Sequence, residues 1–321
     1  RCLCAALALL TLIAAPARVM HRVWARSEWP PVTLLAGRSD VFHATNFVLP
    51  PPGRAAGVVT VHDLSFLRTP ATVTPASRAY RELVPLSIRR ARLVLTPSTA
   101  VAEEVTAAYG VAPGRIAVTP LGVEDGWFRA APPDARLRRE LGLPDRYVVF
   151  VGNLEPRKNL PLLVEAYRAV LDAEPDAPGL VLVGPAGWGP ALDLRGIPPE
   201  KVVFTGYQSE DAVRSLVSGA LALVYPTAYE GFGLPPLEAF ACGTPVIASD
   251  LPVVREVIGA DPTTATLVPE GDVAALAAAL LSRAGSVDPP EAAGARRARA
   301  RGFDWAVTAA ATRAAYVQAL S

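Results

Sequence analysis

From residue 147 onward the chain repeats one pattern: a short run of apolar residues, then a longer amphipathic segment. The runs are YVVFVGN (147–153), GLVLVGP (179–185), KVVFTGY (201–207), LALVYPT (221–227) and TPVIASD (244–250), with a further short one near ATLVPE. Apolar runs of this length alternating with amphipathic stretches are the signature of a parallel sheet covered by helices. Helices fit the intervals 160–171, 209–218, 235–242, 252–258 and 272–283, most of them opened by a capping residue, a proline or both. The pattern predicts a doubly wound α/β unit, whose ligands bind beyond the carboxyl ends of the strands.

A smaller series precedes it. Strands are predicted at DVFHATN (40–46), GVVTVHDL (57–64), RLVLTPS (92–98) and RIAVTPLG (115–122), with helices around 75–91 and 98–109. YGVAPGRI supplies a glycine stop and a Pro-Gly turn. The segment 129–145, RAAPPDARLRRELGLPD, is rich in proline and charge and has room for one short helix, so it is the linker. With 321 residues the chain can bury two cores, one over 1–135 and one over 136–302, followed by a helical segment 303–321.

Half of the residues are hydrophobic and the net charge is +1, which speaks against disorder and against nucleic acid as a partner. Cys2, Cys4 and Cys242 cannot build a disulfide framework, and a reducing, cytoplasmic setting is expected. Three histidines, none at helical metal spacing, give no metal site. The opening CLCAALALLTLIAAPA has the superficial form of a signal peptide and is short for a membrane span. A buried helix, or the ragged start of an incomplete product with Met20 as its true start, competes with that reading.

Two loops carry the chemistry. In YEGFGLPPLEAF (229–240), Glu230 precedes the Gly231-Phe232-Gly233 turn, and Pro235 and Pro236 are placed to start a helix with Glu238 in its first turn. The N–H groups of Phe232, Gly233, Leu234 and Leu237 would be free there, and the helix dipole favours an anion beside them. Carboxylates on either side of a phosphate cradle can each accept from a polyol, the layout of a nucleotide sugar. The plainer reading makes Glu230 a turn cap and Glu238 an acid near a helix start. In LEPRKNL (154–160), Arg157 and Lys158 stand before a helix with Asn159 as its expected cap, where they could stabilise a diphosphate leaving group without a metal. The alternative is a solvated basic turn. His62, with Asp63 beside it, ends the run VVTV where a cleft should lie; it reads as a site residue or as a structural histidine, and His43 and His21 read as structural.

Taken together, VGNLEPRKNL, TGYQSEDAV, YPTAYEGFGLPPLEAFACGTPVIASD, DVFHATNFVLPP, VVTVHDLSFLRTP and LTPSTAVAEEVTAAYGVAPGRIAVTPLGV resemble a retaining glycosyltransferase of family 4, over roughly residues 30–320. The resemblance implies the GT-B fold, two Rossmann-like domains facing a cleft, with the C-terminal helix crossing back to the first domain. It assigns Glu238 to the donor ribose, Glu230 to the hexose, Arg157 and Lys158 to the diphosphate, and His62 to the donor sugar. Phe232, Gly233 and Leu234 would offer backbone amides, with Gly152, Asn153 and Gly231 lining the same donor site and the base lying between Gly184 and Tyr207.

Retention without a carboxylate nucleophile implies front-face attack, with no metal or other cofactor required. GDP-mannose is the first donor expected and UDP-glucose the second. The acceptor would be a glycan or lipid-linked saccharide, and SRAYRELVPLSIRRARL could touch an anionic membrane or simply be a solvated face. The family normally starts with a strand and a glycine-rich loop ahead of DVFHATN, so several tens of N-terminal residues are expected to be absent. A nucleotide-sugar epimerase and a non-catalytic nucleotide-sugar-binding subunit remain alternatives.

On the C-terminal segment, Trp305, Ala309, Tyr316, Ala319 and Leu320 are predicted to form the buried face, interrupted only by Thr312.

Overall fold

A computed structural model describes residues 17–321, so the readings of the first sixteen residues lie outside it, as does the side chain of His21. All ten expected strands form. The first sheet holds β1 (Val41–Ala44), β2 (Ala56–Thr60), β3 (Leu93–Thr96) and β4 (Ile116–Val118), parallel and in that order. The second holds β5 (Tyr147–Val151), β6 (Gly179–Val183), β7 (Val202–Gly206), β8 (Leu223–Tyr225), β9 (Val246–Ser249) and β10 (Ala265–Val268), also parallel, in the order β10-β9-β8-β5-β6-β7. The chain leaves β5 for β6 on one side and later returns to place β8 on the other. The gap between β5 and β8 is therefore the topological switch point, where a doubly wound sheet opens a crevice.

Both faces of the inner strands β5, β6, β8 and β9 are buried, which is why they are apolar at nearly every position, while the edge strands β7 and β10 carry Thr205 and Thr266. Val149, Val181 and Tyr225 pack on one face with Leu216, Leu237 and Phe240. Val148, Phe150, Leu180 and Leu182 pack on the other with Leu163, Tyr167 and Leu276. In the first sheet Val59, Val61 and Val94 face Val84, Ile88, Val101 and Val105, while Val58, Leu93 and Leu95 lie under Ala315 and Ala319 of the C-terminal helix Trp305–Leu320.

Side-chain caps open several of the helices. Ser98, Ser209 and Asp272 accept from the N–H three residues on and open Thr99–Tyr109, Glu210–Ser218 and Val273–Gly285. The helix expected at 75–91 is broken at Ala79 into Pro75–Arg78 and Tyr80–Arg90, the second of which holds Pro85. Pro85 has no N–H to give the carbonyl one turn before it. A helix also forms over Ala292–Ala300, a segment left unassigned from sequence. Arg296 is fully buried, paired with Asp288 and donating from Nε to the Thr264 carbonyl at 2.8 Å.

The buried face of the C-terminal helix also differs from expectation. Ala315 and Ala319 are buried and Thr308, Ala311, Thr312 and Tyr316 half-buried, whereas Trp305, Ala309 and Leu320 are exposed. Thr312 sits inside the contact because its hydroxyl donates to the Thr308 carbonyl at 2.8 Å, leaving no polar group unpaired. Among the described residues no helix is long and apolar enough to cross a membrane.

Candidate functional site

β5 and β8 end side by side, so the loops that follow them meet. A 3-10 turn, Pro156–Lys158, follows β5 and brings Arg157 and Lys158 over the switch point. Asn159 does not cap the next helix: its backbone is left-handed (φ 53°) and its side chain makes no capping bond. The left-handed step turns the chain from the 3-10 turn into the helix Leu160–Ala173, and this removes the side chain from capping reach.

Glu230, from the loop after β8, bridges both cations. Lys158 Nζ lies 2.6 Å from its Oε1 and Arg157 Nη1 3.0 Å from its Oε2. Thr227 Oγ1 donates to Oε1 at 2.9 Å, and the Tyr225 hydroxyl lies 3.4 Å from Lys158 Nζ. Glu155 holds the far side of Arg157 at 2.9 Å. Burial alone would raise the Glu230 pKa, but Lys158 and Arg157 outweigh it and hold the carboxyl below its ordinary value. Burial would likewise lower the Arg157 pKa, and Glu230, Asp63 and Glu155 raise it instead. Glu230 and Arg157 thus both carry their charge at neutral pH. Tyr225, Thr227 and Glu155 were not anticipated from sequence; only the adjacency of Glu155 to Arg157 carried any signal.

After Glu230 the chain turns through Gly233 (φ 99°) into the helix Leu234–Cys242. Among the described residues no acceptor pairs with the N–H groups of Phe232, Gly233 or Leu234. The Phe232 ring is buried, edge-on to Phe303 at 5.8 Å, so only its backbone is offered to the cleft. Glu238 is not in the first turn. The helix begins at Leu234, one residue before the prolines, and this places Glu238 in the second turn. Burial, reinforced by the Glu210 carboxylate, pushes its pKa up to about 7.

Gly152, Gly184 and Tyr207 lie where β5, β6 and β7 end. Gly152 N–H donates to the Val183 carbonyl at 2.9 Å and Gly184 N–H to the Gly206 carbonyl at 3.0 Å. Asn153 is exposed, and the Tyr207 ring is 80% exposed. An apolar cavity of about 460 Å³ opens beside the β5 loop, lined by Pro156, Leu160, Trp188, Pro190 and Phe204, but it includes neither Arg157 nor Glu230.

The first sheet contributes His62, two residues past β2. Its Nε2 donates to the Thr45 carbonyl at 2.8 Å, which leaves Nδ1 as the acceptor, and its ring stands edge-on to Phe47. Asp63 accepts from Ser65 N–H at 2.8 Å and adds negative potential at Arg157. The Gly231 backbone lies directly against the His62 carbonyl, and a Cβ there would overlap it. Ser98 Oγ donates to the Gly231 carbonyl at 2.8 Å, and Glu256 accepts from Thr99 N–H and Ala100 N–H at 2.7 and 3.0 Å. The structure therefore brings His62, Arg157, Lys158 and the Glu230–Gly231 backbone together where loops of the two sheets meet. Among the described residues no group of three or more His, Cys, Asp or Glu side chains is placed to hold a metal ion.

Comparison with known proteins agrees with this geometry. A family model described as Glycosyltransferase Family 4 matches residues 12–127, and one described as Glycosyl transferases group 1 matches 145–284. O-antigen chain mannosyltransferase B from Escherichia coli is 30% identical over 301 residues, which cover 90% of this chain and 75% of that protein. D-inositol 3-phosphate glycosyltransferase from Kineococcus radiotolerans is 33% identical over 237 residues, 66% of this chain and 54% of that one. The chain thus spans three quarters of the first relative and about half of the second. Among solved structures, sucrose-phosphate synthase from Thermosynechococcus elongatus aligns with a TM-score of 0.69 at 22% identity, over 94% of this chain and 79% of that one. The Anabaena protein HepE, in complex with UDP and glucose, aligns at 0.64 and 20% identity over 81% of this chain and 71% of its own. At such identity the likeness speaks for the fold alone.

Proposed function

Given that the chain belongs to the family 4 glycosyltransferases and has their GT-B fold, we propose that it moves a mannosyl group, with retention and without a metal, from a nucleoside diphosphate to a glycan or lipid-linked acceptor. The observation that carries this is the cation pair Arg157–Lys158 at the β5–β8 switch point, facing the unpaired amides of Phe232, Gly233 and Leu234. A diphosphate seated there would meet two positive charges and a helix start. As the bond from the anomeric carbon to the phosphate oxygen breaks, the acceptor hydroxyl bonds to that carbon from the same face. Its proton passes to the departing phosphate oxygen. Arg157 and Lys158 stabilise the charge that grows on that oxygen. Glu230 and His62 face the hexose, and Glu238 accepts from the ribose. Mannose, in preference to glucose, is supported by the Escherichia coli relative's name.

The test is a titration of GDP, UDP, ADP, GDP-mannose and UDP-glucose, with EDTA present, followed by product analysis with candidate acceptors. GDP-mannose is expected to bind with the highest affinity and to release GDP with the anomeric configuration kept. Replacing Arg157 and Lys158 by Ala should weaken nucleoside diphosphate binding by about 2–5 kcal/mol, the scale of losing buried charged hydrogen bonds. Epimerised nucleotide sugar as the product, binding without turnover, or turnover only with Mg²⁺ or Mn²⁺ would overturn the reading.

A further inference from the structure

Glu230 is bracketed by two residues that reach the opposite domain. On one side the Gly231 carbonyl accepts from Ser98 Oγ. On the other, the Tyr229 hydroxyl accepts from Leu64 N–H at 2.7 Å and donates to Glu104 Oε2 at 2.7 Å, with Arg68 3.7 Å from the same carboxylate. Leu64 lies two positions after His62. The carbonyl of Tyr229 meanwhile accepts from Arg157 Nη1 at 3.2 Å. One residue therefore has its backbone in the cation cluster and its hydroxyl on the His62 loop. Burial and the Glu104 carboxylate raise the phenol pKa, so the hydroxyl keeps its proton at neutral pH. A carboxylate acceptor on one side and a backbone donor on the other satisfy it fully, and a small cavity of about 50 Å³ beside Ala100, Glu104 and Val253 leaves little room for another arrangement.

We propose that Tyr229 is a positioning residue for transfer, its hydroxyl fixing the His62 loop of the first domain against the Glu230–Arg157 cluster of the second. The proposal rests on the transferase reading above. Nucleotide contacts belong to the second domain, so the tie governs the chemical step and not the hold on the nucleotide. It sets where His62 stands when the sugar is in place.

The experiment uses Tyr229→Phe, which keeps the ring, and reads three quantities: GDP affinity, the rate of GDP release from GDP-mannose, and hydrogen exchange of the Leu64 amide. GDP affinity should stay within about twofold of wild type, while release slows by about tenfold to a hundredfold, the worth of a charge-assisted hydrogen bond. The Leu64 amide should exchange at least about tenfold faster, having lost its acceptor. Glu104→Gln, which retains an acceptor for the hydroxyl, should lie close to wild type, whereas Glu104→Leu, which leaves the hydroxyl to accept from Leu64 N–H, should slow release by less than Tyr229→Phe and add nothing to it in the double variant. An unchanged Leu64 exchange rate, unchanged release, or a parallel loss of GDP affinity would each overturn the proposal. Wild-type protein that binds neither GDP nor UDP would sink the transferase reading instead, a result the Leu64 measurement does not depend on.

Discussion

At the residue scale, Glu230 occupies the two cations that a diphosphate would need. On the proposed function an incoming donor exchanges with it, which frees the carboxylate for the hexose. Glu230→Gln should therefore tighten free GDP or UDP by on the order of 1 kcal/mol while slowing turnover, since the cations lose a competitor and the sugar loses a ligand. Calorimetry against wild type reads the first effect; weaker binding would mean that Glu230 helps to assemble the pair. Glu238 makes a pH prediction. With its pKa pushed up to about 7 by burial and Glu210, it changes from carboxyl to carboxylate across neutrality, and the carboxylate is the better acceptor for ribose. Nucleotide affinity should rise between about pH 6 and about pH 8 and flatten in Glu238→Gln. Stability of the free protein has the opposite sign. Because the folded pKa lies above the ordinary 4.5, this contribution is full below 4.5 and is lost as pH rises through about 7.

At the scale of elements, the C-terminal helix is held by little apolar surface. Ala315 and Ala319 are its only fully buried side chains, the half-buried Tyr316 ring packs beside them, and hydrogen bonds add to the hold. His43 takes part in these, with Nδ1 2.8 Å from the Tyr316 hydroxyl and Nε2 2.7 Å from Thr60 Oγ1. Tyr316→Phe should cost about 1 kcal/mol in denaturant unfolding, the net worth of one hydrogen bond. Burial, with His62 nearby, lowers the His43 pKa below its ordinary 6.5. Its contribution is therefore full above pH 6.5 and is lost as pH falls from there toward the folded value. Thermal unfolding of wild type at decreasing pH should show this loss, and His43→Gln should lack that component.

At the scale of the molecule, two crossing segments join the sheets and run side by side. Val123 N–H donates to the Phe303 carbonyl at 3.0 Å, Thr308 Oγ1 donates to the Pro120 carbonyl, and Gly122 lies against the backbone of Asp304 and Trp305. A Cβ on Gly122 would overlap that backbone. Gly122→Ala should cost about 1–3 kcal/mol, the usual penalty for overpacking, by denaturant unfolding. GDP affinity should hold in the fraction that remains folded, since among the described residues no hydrogen bond or ion pair joins Arg157 or Glu238 to Gly122, Asp304 or Trp305. Equal loss of affinity would mean that the crossing shapes the nucleotide site.

The sequence by itself determined the ten strands, because runs such as VVFV and LVLV are buried on both faces and their apolarity is local information. It determined the capped starts at Ser98, Ser209 and Asp272 for the same reason, since a cap acts over three residues. It also singled out Arg157, Lys158, Glu230 and Glu238, which lie in loops or helix turns just past strand ends. What the tertiary structure decided is which of these groups touch. Glu230 meets Lys158 across 72 positions, Tyr229 meets Leu64 across 165, and His43 meets Tyr316 across 273. Sheet order and domain pairing set those contacts, and neither leaves a periodicity in the chain. The C-terminal helix shows the limit most plainly: Trp305–Leu320 is apolar on nearly every side, so only the sheet it lies on selected Ala315 and Ala319 as its buried face.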